Sequence, residues 1–451
     1  MTSDFFNFQP FSQRTKHCLS MNILHINTCD ILGGAARAAY RLHTGLRSID
    51  QNSTMFVANK FSNNCNVIAF VPPSDLNSHM RKVVVRILSR VQQYLGLKYL
   101  PRIPGHYSGV LIDGYELFSS EKSLYGNAVI DQLPHCDIIN VHWIDNFLDY
   151  KSFFTSVPKN IPVVWTLHDM NAFTGGCHYD LGCGRFADKC GFCPQLLNQF
   201  SNDLSRKIWD HKKKIYSGVK PNRLHIVTPS HWLAREAHRS NLLKNFRITV
   251  IPNGIDSDIY APRNQNIIRE ALGIPLKAKV ILFVAQDISI RRKGFHLLKK
   301  LMMNLTSWDE LWLISIGKGN PDINCMSRHI HIGTIENERL LSAVYSAADL
   351  TVITSIQDNL PNTVMESMAC GTPVIGFNVG GIPDMIREGY TGILIPVGDI
   401  DCMSEALANL LRDDKRLKEM SFNCRELAIK EYDLKIQAEC YLRLYNKIIS
   451  G

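Results

Sequence analysis

Residues 354–376, TSIQDNLPNTVMESMACGTPVIG, place two carboxylates where a strand hands over to a helix. The apolar run closes at Ser355, a loop carries Asp358 and Asn359, and Pro361-Asn362 introduces a helix that holds Glu366. Asn362 is a suitable N-cap for that helix. Helical side chains lean toward the N-terminus, so Glu366 is expected to point back to the loop presenting Asp358 and to border one pocket with it. The helix N-terminus beside them offers free N–H groups, which suit a phosphate or a negatively charged oxygen.

A second group of reactive side chains follows His168. Cys177, Cys183, Cys190 and Cys193 are separated by five, six and two residues, with His178 beside the first. The C-x2-C pair is a zinc half-site that two further thiolates complete to a tetrahedral structural site, and this reading is favoured. Reduced thiols packed in a loop, or disulfides in an oxidising compartment, are the alternatives. On each reading the run fixes a long loop, Gly175 to Pro194, at the rim of a cleft, and none makes the cysteines catalytic. Two D-x-D triplets, Asp256-Ser-Asp258 and Asp399-Ile-Asp401, have the spacing of a metal-binding pair. The first falls in a hinge and the second opens a helix, where Asp is a good cap.

These residues need a scaffold that presents loops at strand ends. Short apolar runs at 21–27, 54–60, 137–143, 163–169, 225–230 and 247–253 are rich in β-branched or aromatic residues, and each is followed by a helical or loop segment. That alternation predicts a parallel, doubly wound sheet. After Pro252-Asn253-Gly254 the pattern restarts at 280–286, 311–317, 329–333, 350–355, 373–377 and 392–396. The chain therefore divides into a loose extension (1–20), a first α/β domain (21–254), a second (255–431) and a terminal helical stretch (432–451). At 451 residues it exceeds what one core normally supports. Two such domains joined by a hinge leave a cleft at the carboxyl ends of their strands, where ligands bind.

Composition narrows the partners. Hydrophobic residues make up 45% and charged residues 20%, and no apolar run approaches the length needed to span a bilayer. The first twenty residues lack the apolar core and cleavage site of a secretory signal, which places the chain in the cytoplasm. Lys and Arg outnumber Asp and Glu by 50 to 41, a net +9, without the basic stripe of a nucleic-acid binder. Residues 81–102 interleave basic and apolar residues as a basic amphipathic helix does. Such a helix either packs one face on its own core or contacts anionic lipid headgroups.

Asp358, Pro361, Glu366, Ala369 and Gly371-Thr-Pro-Val together resemble the acid-x7-Glu motif of retaining glycosyltransferases of family 4, the group 1 glycosyltransferases, which have the GT-B fold. The likeness runs through nearly the whole chain from Met21. It takes in GGAARAA (33–39), LHD (167–169), VTPSHW (227–232), VIPNGID (250–256), RKGFHLL (292–298) and IGKG (316–319). WTLHD with the cysteine run behind it, and DNxP in place of a Glu-containing loop, resemble bacterial glycosyltransferases of colanic acid and O-antigen synthesis.

The resemblance implies two facing Rossmann-like domains, with a C-terminal helix returning to the first, and catalytic roles for His168, Asp358 and Glu366. It assigns a UDP- or GDP-sugar donor to Gly33, Gly34, Arg292, Lys293, Asn359, Leu360, Asn362, Thr363 and Glu366, without a catalytic metal. Lys293 matches the Lys that holds the diphosphate; Ala285 and Gln286 occupy the place of the usual Arg, leaving Arg291 or Arg292 to substitute. Glu366 matches the carboxylate that accepts both hydroxyls of the nucleotide ribose. The implied acceptor is a lipid-linked oligosaccharide at the cytoplasmic face of the inner membrane, contacted peripherally. A sugar-nucleotide epimerase of the same fold and a catalytically silent sugar-nucleotide binder are the alternatives.

Overall fold

A computed structural model describes residues 21–73 and 117–450, apart from 198, 307 and 324–327. The basic segment 81–102 and the extension 1–20 lie outside the described residues.

The first sheet contains β1 (Asn22–Cys29), β2 (Asn52–Asn59), β3 (Val67–Ala69), β4 (Ile138–Val141), β5 (Val163–Thr166), β6 (Leu224–Thr228) and β7 (Arg247–Val250) in the order β3-β2-β1-β4-β5-β6-β7. The second contains β8 (Lys279–Asp287), β9 (Leu311–Lys318), β10 (His329–Gly333), β11 (Leu350–Ile353), β12 (Val374–Phe377) and β13 (Gly392–Ile395) in the order β10-β9-β8-β11-β12-β13. Neighbouring strands are parallel in both sheets. All residues of β4, β5, β11 and β12 are buried, because helices cover both faces of a parallel sheet. Only β3 escapes a reading by pattern: three residues, of which Ile68 and Ala69 are exposed, carry no period.

Strand order reverses direction between β1 and β4 and again between β8 and β11. Loops on either side of such a point diverge and leave a crevice at the carboxyl ends of the strands. Gly33-Gly34 follows β1, Arg292-Lys293 follows β8 and Asp358 follows β11.

The C-terminal helix Leu434–Ser450 returns to the first domain. Ala438, Tyr441, Leu444 and Tyr445 pack with Ile23, Leu42, Leu46 and Val164 in one buried cluster. Asn140 Nδ2 donates to the Tyr445 hydroxyl at 2.7 Å. The chain enters this helix beside the hinge, where Ile255 N–H donates to the Tyr432 carbonyl at 2.7 Å and Leu434 N–H to the Ile255 carbonyl at 2.9 Å.

Candidate active site

After β8 the chain makes a tight turn, Arg291–Lys293, that ends at Gly294 with φ +73°. A Cβ there would collide with the Thr354 carbonyl at the end of β11, so glycine lets the two loops at the switch point touch. Their side chains meet as an ion cluster. Lys293 Nζ lies 2.6 Å from Asp358 Oδ2 and Arg292 Nη1 lies 3.1 Å from Asp358 Oδ1. Burial pushes the Asp358 carboxyl up, but Lys293 and then Arg292 outweigh it and hold it at about 2. The loop backbone is tied from β12, where Gly381 N–H donates to the Asp358 carbonyl at 3.0 Å.

The first domain closes on this cluster. The Arg292 guanidinium sits 3.8 Å from the Tyr179 ring centroid, and the Tyr179 hydroxyl reaches Asp358 Oδ1 at 3.5 Å. Asn359, buried, bridges to two first-domain loops: its Nδ2 donates to the His168 carbonyl at 3.0 Å and its Oδ1 accepts from Ser230 Oγ at 2.6 Å. His168 stands at the end of β5 and is part-buried, with its Nε2 3.1 Å from His142 Nδ1. Burial lowers its pKa to about 4 although Asp169 pulls the other way, so the imidazole is neutral.

Glu366 departs from the expected geometry. Its carboxylate does not share the Asp358 cluster but turns toward the first domain, where Arg41 Nη2 lies 2.9 Å from Oε1. The Tyr345 hydroxyl donates to Oε2 at 3.1 Å. Arg41 also holds Glu338 at 2.7 Å and lies over the Tyr260 ring. Burial opposes the guanidinium charge, and Glu366, Tyr260 and Glu338 more than offset it, keeping Arg41 charged. The two acids thus have separate cationic partners, because Glu366 faces the helix Gly34–Ser48 rather than its own N-terminal loop.

Asn362 is not the cap of its helix. Pro361 occupies that position in an extended conformation, and Asn362 Nδ2 instead donates to the Gly34 carbonyl across the cleft at 3.1 Å. Two helices therefore begin side by side, Gly34–Ser48 from one domain and Asn362–Ala369 from the other, neither with a side-chain cap nor an acid in its first turn. Their leading N–H groups, those of Thr363 among them, are left for another acceptor. Gly33, at φ +100°, takes the turn before the first of these helices. Leu360 is buried between the Asp358 loop and the helix start.

The cysteine run docks the first domain onto the second. Leu181 N–H donates to Gln357 Oε1 at 2.9 Å, Gln357 Nε2 to Asp180 Oδ1 at 2.8 Å, and Tyr179 covers Arg292. His178 bonds Asp169 through Nδ1 and Ser119 Oγ through Nε2, both at 2.6 Å, which fixes the loop directly behind His168. The expected tetrathiolate zinc site is not formed. Cys177, Cys183, Cys190 and Cys193 line one cavity as free thiols, yet the described residues hold no group of three or more His, Cys, Asp or Glu side chains placed for a metal ion. Cys190 and Cys193 are committed to the loop's own packing: Cys190 Sγ accepts the Gly175 N–H at 3.2 Å, and burial pushes Cys190 up to about 12 and Cys193 to about 11. The arrangement matches packed reduced thiols.

Arg41, Tyr179, Glu338, Tyr345 and Gly381 also bear on the site, and none of them falls in a motif that marks it. Arg41 had a signal: with Ala38, Leu42 and Gly45 it lies on the buried stripe of its helix, where an unpaired cation is costly. Tyr179 and Gly381 had none, since their importance comes from contacts across the cleft.

Residues 264–427 match the family described as Glycosyl transferases group 1, and residues 100–259 match Glycosyltransferase Family 4. Both segments are glycosyltransferase domains. A D-inositol 3-phosphate glycosyltransferase of Corynebacterium glutamicum is 32% identical over 226 residues, covering 46% of this chain and 53% of that protein. The matched part spans about half the length of the curated relatives. Solved structures share the fold across both glycosyltransferase domains. Sucrose-phosphate synthase from Thermosynechococcus elongatus aligns with TM-score 0.63 at 18% identity, over 95% of this chain and 99% of that one. Anabaena HepE, in complex with UDP-glucose, aligns with TM-score 0.62 at 14% identity, over 95% of this chain and 100% of that one. Across both glycosyltransferase domains, no helix among the described residues is long and apolar enough to cross a membrane.

Proposed function

We propose that the protein moves a sugar from a nucleotide-diphosphate donor, with retention at the anomeric carbon, to a hydroxyl of a lipid-linked bacterial surface glycan. The observation that carries this reading is the bond from Asn359 Nδ2 to the His168 backbone carbonyl, which holds the residue bearing the neutral imidazole of one domain against the Asp358 loop of the other, where Lys293 and Arg292 pair with Asp358. Breaking the anomeric bond builds negative charge on the departing diphosphate and positive charge on the sugar. Lys293, Arg292 and the uncapped starts of the helices at Gly34 and Asn362 answer the first demand. Asp358 and the amides that follow it hold hydroxyls of the transferred sugar, and the uncharged His168 adds no repulsion to the second.

In the structure Lys293 rests on Asp358 and Arg41 rests on Glu366. Donor binding then exchanges these contacts: the diphosphate takes Lys293, and the ribose diol shares the Glu366 carboxylate. Closure or adjustment of the cleft accompanies this exchange.

Thermal unfolding against UDP, GDP, ADP, dTDP and CMP tests the donor site. A nucleotide at a hundred times its dissociation constant stabilises the fold by about 2.7 kcal/mol. A rise with one nucleotide, lost in Glu366→Gln, supports the reading and names the base; no rise with any of the five overturns it. Release of that nucleotide from its sugar only when acceptor is added separates transfer from epimerisation or silent binding. The name of the inositol 3-phosphate relative favours a second reading, a small anionic acceptor, and the same assay with inositol phosphate and with a lipid-linked glycan separates the two.

A further inference from the structure

Behind His168 the first domain buries a file of imidazoles. His25 Nδ1 lies 2.9 Å from His142 Nε2, and His142 Nδ1 lies 3.1 Å from His168 Nε2. Successive rings stack at 5.2 and 5.3 Å with interplanar angles of 30° and 25°. The three belong to adjacent strands: His25 lies in β1, His142 follows β4 and His168 follows β5. The file thus crosses the switch point of the first sheet and ends in the cleft. His25 and His142 are buried, and His142 and His168 border a small cavity with Trp143, Asp145, Asp169 and His178.

The inner end decides where the protons lie. His25 Nε2 is buried and has no hydrogen-bond partner among the described residues. A buried N–H with no acceptor is a rarer and costlier orphan than a bare lone pair, so the His25 proton belongs on Nδ1. It then donates to His142 Nε2. A neutral His142 keeps its own proton on Nδ1 and donates to His168 Nε2, which leaves the His168 proton on Nδ1. That nitrogen makes no hydrogen bond to a described residue. Adding a proton to His168 Nε2 would set two N–H groups against each other, so the file resists charging of its outer member.

We propose that His142 and His25 are positioning residues that hold His168 as the neutral Nδ1–H tautomer, presenting an uncharged hydrogen-bond donor to a hydroxyl of the transferred sugar. This rests on the reading of the cleft as a glycosyl-transfer site. A neutral donor can grip a hydroxyl beside a sugar that is gaining positive charge, whereas an imidazolium would oppose that charge. Burial favours neutrality along the whole file. Of the groups facing it, Asp169 pulls His168 toward the charged form, His43 disfavours charge on His25, and the neighbouring imidazoles disfavour charge on His142.

Nitrogen-15 NMR of histidine-labelled protein tests the assignment without requiring turnover, so its result stands apart from the outcome of any transferase assay. The His168 signals are identified by their loss in His168→Gln. The expected pattern is a protonated Nδ1 and a bare Nε2 that persist from pH 7.5 to 5. In His142→Phe, which keeps the ring stack and removes both bonds, His168 should redistribute toward the Nε2–H form and titrate above pH 5. The pH profile of turnover should shift with it, and kcat should fall roughly 10- to 100-fold while donor KM stays within about twofold. His25→Asn keeps a donor at the Nδ1 position and should preserve the wild-type pattern, whereas His25→Leu should lose it; this pair carries the test if His142→Phe fails to fold. A wild-type His168 protonated on Nε2, or a tautomer indifferent to both His142→Phe and His25→Leu, overturns the proposal.

Discussion

Arg41 and Glu366 are 325 residues apart in sequence and form an ion pair of 2.9 Å in which 4% of either side chain is exposed. The pair ties the first helix of one domain to the helix behind the Asp358 loop of the other, and Glu338 shares the same guanidinium. Removing one member of a buried pair strands the rest without compensation.

Arg41→Met should therefore lower the unfolding free energy by about 3–5 kcal/mol in denaturant titrations. The double variant Arg41→Met/Glu366→Gln should cost clearly less than the sum of the two single changes. Additive losses would show that the two side chains are not coupled.

Asp358 makes stability depend on pH in a defined window. Its folded value of about 2 lies below the ordinary 3.8, so the folded carboxylate holds off protonation longer than the unfolded one. The stabilisation, about 2 kcal/mol, is complete above roughly pH 4 and disappears as pH falls toward 2. The stability gap between wild type and Asp358→Asn should be constant from pH 7 to 5 and narrow below 4. A gap that does not change with pH would place the cationic partners elsewhere.

The buried histidines act in a higher window and with the opposite protonation state. His168 and His43 are each lowered to about 4, chiefly by burial, so between there and about 6.5 the unfolded chain takes up protons that the folded chain refuses. Stability must then rise with pH across that range, by roughly 1.4 kcal/mol per pH unit for each such histidine. His168→Gln should flatten the slope by about one such increment in chemical unfolding followed at pH 4.5, 5.5 and 6.5. An unchanged slope would mean that His168 titrates normally.

Thiol accessibility should separate the cysteines into two classes. Cys65 and Cys402 are exposed, whereas Cys177, Cys190 and Cys193 are buried and Cys190 and Cys193 are pushed up toward 11 or 12. Thiolates are the reactive species, so iodoacetamide at pH 7.5 should modify the first class first. Peptide mass analysis should find the other three labelled only after denaturation. Rapid labelling of Cys190 in folded protein would contradict the packing of the loop.

Tyr179→Ala should act on the donor side although Tyr179 belongs to the first domain. Removing the ring uncovers Arg292, which it faces at 3.8 Å. Donor KM should rise roughly tenfold, at a cost of about 1–2 kcal/mol for a buried cation–π contact. Donor KM equal to that of wild type would show that Arg292 is held without the ring.

The alternation of strands and helices in two parallel α/β domains, and the strand-end placement of His168, Lys293 and Asp358, were legible in the chain. A parallel strand covered on both faces must be a continuous apolar run, and the polar residues that interrupt such runs fall at strand ends, where the crevice opens. Local spacing also placed Glu366 one turn into its helix, but it could not say which way the carboxylate would settle. That depended on Arg41, which competes for it from another domain with a charge whose burial has to be compensated. The same limit applied to the cysteines, whose spacing allowed a zinc site while the loop's packing set all four around one cavity and bonded Cys190 to the Gly175 N–H. Sequence by itself determined the elements and the ends at which chemistry gathers, because hydrophobic period and strand termini are local. The partners of Glu366, the stacking of Tyr179 on Arg292 and the file from His25 to His168 were decided only by tertiary structure, because each joins elements far apart in sequence, the Arg41 pair and the Tyr179 stack across the cleft and the file across neighbouring strands of one sheet.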